Sequence, residues 1–163
     1  MNAPDTVTIL GIPVHAVTMT ATLELVERFM AEPHVHQLAT VNPEFVMAAQ
    51  SDAAFRRILQ TADLCLPDGV GLLFAARRQG TKLPERVPGS ELVYALAERA
   101  AMGGWPLFLL GAAPGVAEEA ARVFVERFPG LRVAGTYAGS PTIEENDDLV
   151  RRVVEVVPVA HLH

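Results

Sequence analysis

Ala62-Asp63-Leu64-Cys65-Leu66-Pro67-Asp68-Gly69-Val70-Gly71 is the stretch on which the reading of this chain turns. An apolar run of strand length, Leu64 to Leu66, ends in Pro67-Asp68-Gly69, and a pattern of helical period starts at Val70. A strand that feeds a helix at once belongs to a βαβ arrangement, and the carboxyl ends of such strands are where open α/β sheets hold ligands. Asp68 therefore stands at a position suited to chemistry. Pro-Asp-Gly is equally ordinary turn chemistry and Asp is a good helix N-cap, so the local sequence leaves both roles open.

Outward from this stretch, apolar runs of strand length alternate with segments of helical period. Val7 to Val14 reads as a strand or a hairpin around Gly11-Ile12-Pro13, and Met19 to Met30 as a helix with Leu23, Val26 and Met30 inward. His36 to Val41 reads as a strand, followed by Asn42-Pro43, a cap and a first-turn proline. Helical pieces follow at Phe45–Ala49 and Ala53–Ala62, then Val70–Gln79, a polar loop over Thr81–Pro88, and a helix over Ser90–Met102. Leu107–Leu110 is a strand. Gly111-Ala-Ala-Pro114-Gly115 turns it into a helix with a core face of Val116, Ala120, Val123, Phe124 and Phe128. Arg132–Tyr137 is a further strand and Ile143–Val157 a helix. This alternation predicts an α/β fold, Rossmann-like, with a mostly parallel sheet covered by helices on both faces.

With 163 residues, half of them apolar and 20% charged, the chain is expected to form a single α/β domain, residues 1–163, around one core. A formal net charge of -6 argues against nucleic acid as a partner, since phosphate contacts need a basic surface. Arg77, Arg78, Lys82 and Arg86 form a local basic cluster opposed by Glu85 alone, which fits either a solvated helix end or an anion site. One cysteine, Cys65, excludes an intramolecular disulfide and reads as a packed thiol. His34 and His36 have no Cys, Glu or Asp at ligand spacing nearby and make half a metal site at best. No secretory signal opens the chain, and its longest uncharged run, Ala100–Ala117, is too broken by Gly and Pro to span a membrane.

Three strand ends carry candidate groups: Thr40 and Asn42, then Asp68, then the Gly111–Gly115 turn. Parallel strands point their carboxyl ends the same way, so these loops are expected to meet in one crevice. Taken alone, Thr40 is a usual strand residue and Asn42 a usual cap. Gly111 and Gly115 complete neither G-x-G-x-x-G nor a Walker motif, which disfavours a nicotinamide-dependent oxidoreductase. The backbone N–H groups at that helix start remain suited to a phosphate.

Five ordered segments resemble the motifs of the WecG/TagA/CpsF glycosyltransferases: Thr40-Val-Asn42-Pro-Glu, Ala62 to Gly71, Glu85-Arg86-Val-Pro-Gly89-Ser-Glu-Leu, Leu109-Leu-Gly111-Ala-Ala-Pro114-Gly115-Val-Ala-Glu, and Phe128-Pro-Gly-Leu. The resemblance implies inverting transfer of an N-acetylmannosamine-type sugar from a UDP donor to an undecaprenyl-diphosphate-linked N-acetylglucosamine. It implies Asp68 as the general base, and Thr40 and Asn42 as polar pocket residues. Arg86, with Gly111, Pro114 and Gly115, would act on the UDP side without a metal or other cofactor. It places the work at the cytoplasmic face of the plasma membrane, with peripheral membrane contact in a full-length form, and leaves the oligomeric state open.

The family pattern continues with another strand, a Gly-x-Pro-Lys-Gln-Glu motif and a membrane-contacting portion, so the chain is expected to lack its C-terminal part. Asp147-Asp148 is read as an acidic helix start rather than a metal pair. The alternative to a working transferase is an inactive fragment or a non-catalytic nucleotide-binding module of the same fold.

Overall fold

The computed structural model describes residues 4–139 and 150–151. Its contacts gather in two compact units, Met1–Val93 and Tyr94–His163.

The first unit opens with a hairpin. Strands β1 (Thr6–Ile9) and β2 (Ile12–His15) pair antiparallel from Thr6↔His15 to Ile9↔Ile12. The two loop residues, Leu10 at φ 47° and Gly11 at φ 83°, both take the positive φ that a tight two-residue turn requires. Helix α1 (Met19–Phe29) starts where Thr18 Oγ1 accepts a hydrogen bond from Ala21 N at 3.1 Å. Its buried residues are Thr22, Leu23 and Leu25, whereas Val26 is half-buried and Met30, expected inward, caps the helix in solvent.

Strands β3 (Leu38–Val41) and β4 (Leu64–Pro67) are parallel, in register from Leu38↔Leu64 to Val41↔Pro67. Helices α2 (Pro43–Ser51) and α3 (Ala53–Thr61) make the crossover, each capped by the side chain before it: Asn42 Oδ1 accepts from Phe45 N at 2.8 Å, and Asp52 Oδ1 from Phe55 N at 2.9 Å. All four residues of β4 are buried. Val7, Ile9, Ile12, Val14, Val41 and Leu59 lead the core that packs with Cys65. Helix α4 (Val70–Arg78) follows β4 after one turn.

Between β2 and β4 a side chain takes the place of a ladder bond. The Cys65 backbone N–H donates to His15 Nδ1 at 2.8 Å, which fixes that nitrogen as an acceptor and puts the ring proton on Nε2. Burial lowers the His15 pKa below its ordinary value. The expectation of a packed thiol holds: Cys65 Sγ lies 3.2 Å from the Leu59 carbonyl, and burial pushes the thiol up to about 11.

Residues 81–88 are irregular, but not the wholly polar loop the sequence suggests. Leu83 and Val87 are buried, and Val87 N donates to the Pro67 carbonyl at 2.7 Å, which extends backbone bonding past the end of β4.

Helix α5 (Gly89–Gly103) starts in the first unit and ends in the second. In the second unit, β5 (Pro106–Leu110) and β6 (Arg132–Tyr137) pair parallel, with a register irregularity between Leu107 and Phe108, and helix α6 (Val116–Arg127) crosses between them. The α6 core face is narrower than its apolar pattern suggests. Ala117 and Phe124 are buried, but Val116, at the first position after left-handed Gly115, is half exposed. The Tyr94 and Phe124 rings meet edge to face at 5.0 Å, with the Arg127 guanidinium 5.3 Å from the Tyr94 ring centre.

The class is thus α/β, with the strands among the described residues in three two-stranded ladders, one antiparallel and two parallel. Of the helix expected over Ile143–Val157, Val150 and Arg151 are helical, and the remainder lies outside the described residues, as does Asp147-Asp148.

Candidate active site

The carboxyl ends of β3 and β4 bring Thr40, Asn42 and Asp68 together in the first unit. Asp68 does not cap its own helix: the N-cap of α4 is Gly69, without a side-chain hydrogen bond. Instead Asp68 Oδ2 accepts from Gly89 N at 3.0 Å, at the first residue of α5, while Asp68 N donates to the Val41 carbonyl at 2.7 Å. One carboxylate oxygen is therefore held by an otherwise orphaned helix N–H, an arrangement that fixes the group in direction and suits its charge. Among the described residues the other oxygen has no hydrogen-bond partner.

Close packing explains the glycines here. A Cβ on Gly89 would stand 3.1 Å from Thr40 Oγ1 and 3.3 Å from Thr40 Cγ2. Pro43 presses on the other loop in the same way. A Cβ on Gly69 would come within 3.0 Å of Pro43 Cδ, and one on Gly71 within 3.0 Å of Pro43 Cγ. Gly69 also sits at φ 148°, ψ 138°, a backbone region that side chains avoid. Asn42-Pro43, Asp68-Gly-Val-Gly71 and Gly89 are thus parts of one fitted assembly.

The basic cluster divides. Arg77 and Arg78 are exposed in the last turn of α4, as a helix dipole favours, and Lys82 is exposed beyond it. Glu85, read from sequence as opposing the cluster, takes a hydrogen bond from Met19 N at the start of α1. Arg86 is half exposed, and its Nη2 lies 3.5 Å from Glu91 Oε1, a long solvent-facing pair worth about 0–1 kcal/mol. Its guanidinium is easily redirected.

Gly111, Pro114 and Gly115 lie together in the second unit. Gly111 at φ 104°, Ala112 at φ 67° and Gly115 at φ 87° bend the chain from β5 into α6, whose N-cap, Gly115, supplies no side-chain hydrogen bond. A cleft of about 350 Å³ opens at this turn, lined by Tyr94, Gly115, Val116, Glu119, Val123 and Phe124 among others. Glu119 is engaged by Arg122 at 2.7 and 2.9 Å, which holds its carboxyl below the usual range.

The glycosyl transferase WecG/TagA/CpsF family model matches residues 7–159, which include both of these turns. The chain belongs to that family. It is 30% identical over 152 residues to an N-acetylglucosaminyldiphosphoundecaprenol N-acetyl-beta-D-mannosaminyltransferase of Staphylococcus aureus (strain MRSA252), covering 92% of this chain and 59% of that protein. A second protein of that name, from Staphylococcus aureus (strain NCTC 8325 / PS 47), is 32% identical over 130 residues, 78% of this chain and 51% of its own length. The chain thus spans between about half and three-fifths of these curated relatives.

As a member of the WecG/TagA/CpsF family the chain carries Asp68 at the carboxyl end of β4, beside Thr40 and Asn42. No helix among the described residues is long and apolar enough to cross a membrane. One reading of the sequence needs correction. His34 and His36 do have an acidic neighbour at ligand distance, Glu32, whose Oε2 lies 3.2 Å from His34 Nε2 and 3.0 Å from His36 Nε2. A bend over residues 32–34, ahead of the expected strand, and a β3 that begins at Leu38 rather than His36 bring them together, a signal that strand periodicity conceals.

Proposed function

We propose that the protein is an inverting glycosyltransferase of Rossmann-like fold. It moves an N-acetylmannosamine-type sugar from UDP to undecaprenyl-diphosphate-linked N-acetylglucosamine. The observation that carries this is Asp68: an oriented carboxylate at the carboxyl end of the parallel pair, with one oxygen held by Gly89 N, in a chain of this family. The acceptor hydroxyl oxygen attacks the anomeric carbon and the bond from that carbon to the β-phosphate oxygen breaks. UDP leaves with the electron pair, and Asp68 takes the hydroxyl proton. Thr40 and Asn42 orient the sugar or diphosphate, Asn42 through its amide nitrogen because its oxygen is committed to Phe45 N.

Negative charge grows on the departing UDP and needs compensation. Arg86, which among the described residues makes only its long contact to Glu91, can swing to a phosphate. In the second unit Gly111 N is committed to the Tyr137 carbonyl at 2.8 Å, which leaves the Ala112, Ala113 and Gly115 amides as the groups of that turn suited to a phosphate. Pro114 shapes that turn. The chemistry then needs no metal or other cofactor. The lipid-linked acceptor places the enzyme against the inner face of the plasma membrane as a peripheral protein, in cell-surface polysaccharide or teichoic acid synthesis.

The test supplies UDP-N-acetylmannosamine and a lipid-linked N-acetylglucosaminyl diphosphate and follows UDP release and product. Acceptor-dependent release that persists in EDTA is expected. One other reading is a non-catalytic nucleotide-binding module of the same fold. UDP binding without turnover would establish that reading instead.

A further inference from the structure

The amino ends of β3 and β4, the pole opposite Asp68, carry a second cluster that sugar transfer does not use. We propose that Glu32, His34 and His36 bind one divalent transition-metal ion of the zinc type, with Asp63 orienting His36 from behind. The ligand atoms converge: Glu32 Oε2 is 3.2 Å from His34 Nε2 and 3.0 Å from His36 Nε2, and all three lie within 4.8 Å of one another. Ligands at about 2.0–2.1 Å from a tetrahedral zinc stand about 3.3 Å apart, so two of the three edges are already close to metal geometry. Two imidazoles with one carboxylate, leaving a fourth position for water, suit zinc and its neighbours rather than magnesium or calcium, which favour oxygen ligands.

His36 is built as a ligand rather than as a surface residue. Its side chain is only 8% exposed, and its ring stacks on Phe29 at 3.9 Å and 12°, which fixes the ring plane. Nδ1 is buried 3.2 Å from Asp63 Oδ1 without the alignment of a full hydrogen bond, while Asp63 Oδ2 is anchored by Gln37 N at 2.8 Å. Glu32 Oε2 accepts a hydrogen bond from His36 Nε2 at 3.0 Å, a proton that a bound cation would displace; Asp63 behind Nδ1 is placed to hold the ring proton there and free Nε2 to ligate, as outer carboxylates do for metal-bound histidines. The His34 ring lies 4.1 Å from that of His36, and both Nε2 atoms face Glu32 Oε2.

The ion would join the end of α1 to the entrances of β3 and β4. Asn42 lies six positions beyond His36, about 20 Å of extended chain, so the ion acts on stability and not on the reacting atoms. The inference is independent of the proposed transfer reaction.

The test uses the full chain in a His161→Ala/His163→Ala background, because His161-Leu-His163 is a competing zinc ligand pair in the sequence. Calorimetric titration with Zn²⁺ is expected to show one site per chain. Zinc at about 100 times its Kd should raise the unfolding temperature by about 5–10 °C, with no rise in Mg²⁺. His34→Ala, at a residue with a mostly exposed side chain, should remove both effects while leaving the metal-free unfolding temperature in place. Asp63→Asn should weaken binding about 10–100-fold. The absence of saturable zinc binding, or binding undiminished in both His34→Ala and Glu32→Gln, would overturn the proposal.

Discussion

The chain builds a parallel strand pair twice and finishes the two differently. In β3–β4, every residue of β4 is buried and the loops beyond are locked, Pro43 on Gly69 and Gly71, Thr40 on Gly89, and Asp68 on the Gly89 amide. In β5–β6 the strands are largely half-exposed and the loop beyond takes positive φ at Gly111, Ala112 and Gly115, with no side chain capping the helix it starts. The first arrangement holds a side chain in one direction, as a general base requires. The second presents backbone N–H groups on a turn of small residues, as suits a diphosphate. In the proposed reading, support under a general base and amides under a diphosphate are different tasks.

The strongest way to break this contrast is at the two loops themselves. Asp68→Asn keeps the shape and the Gly89 contact but loses the basic oxygen, so turnover should fall about 10²-fold or more with UDP affinity little changed. Pro114→Ala leaves the amides in place and should alter turnover by less than about 5-fold. Comparable losses from the two in steady-state UDP release would abolish the distinction.

Stability offers the next test. Gly69→Ala meets both a forbidden backbone region and the Pro43 ring, and should cost about 2–3 kcal/mol in urea unfolding. Gly135→Ala in β6 would place a Cβ even closer to its neighbour, 2.7 Å from Phe108 Cε2, but that atom is the far end of a half-exposed ring that can swing away. It should cost about 1 kcal/mol or less, since Ala also stiffens the unfolded chain. The reverse order would mean that the first pair is not the more tightly determined.

His15 sharpens the account of the first unit. His15→Leu removes the acceptor for Cys65 N–H and should cost about 1–3 kcal/mol at pH 7.5. In the wild type, the unfolded ring takes up a proton as pH falls below about 6.5, while the buried folded ring does so only at lower pH. The unfolded state then binds more protons, so stability should decline with acid through that window. The Leu variant should lack that part of the decline, which denaturant unfolding at several pH values can measure.

The smallest effect is expected at Arg86. Arg86→Ala should weaken UDP binding or slow turnover by about 3–10-fold, and Arg77→Ala by less than about 2-fold, read by titration and rate. Equal responses would reduce the cluster to a diffuse field.

Much of this architecture was legible because periodicity and caps are local. Gly11 marked the hairpin, Asn42-Pro43 the start of α2, and Arg132–Tyr137 matched β6 end for end. What escaped depends on partners far away in sequence. His36 and Gln37 leave the expected strand because Asp63 takes the Gln37 amide and faces the His36 ring. Val87 is buried because Pro67 takes its N–H, and Glu85 serves α1 from 66 residues away. At the site, Asp68 was legible as a strand-end carboxylate, but its tether to Gly89 was not, since nothing in Pro-Asp-Gly announces a helix that starts 21 residues later.

The seat of Pro43 against Gly69 and Gly71 also governs how this protein can be rebuilt. Neither loop is an independent module: a proline ring fills the room that two missing side chains leave. A chimera that imports the Asp68 loop from a relative without its Asn42-Pro43 counterpart leaves either a void or a collision beneath the carboxylate. The two segments, distant in the gene, have to be exchanged as a single cassette.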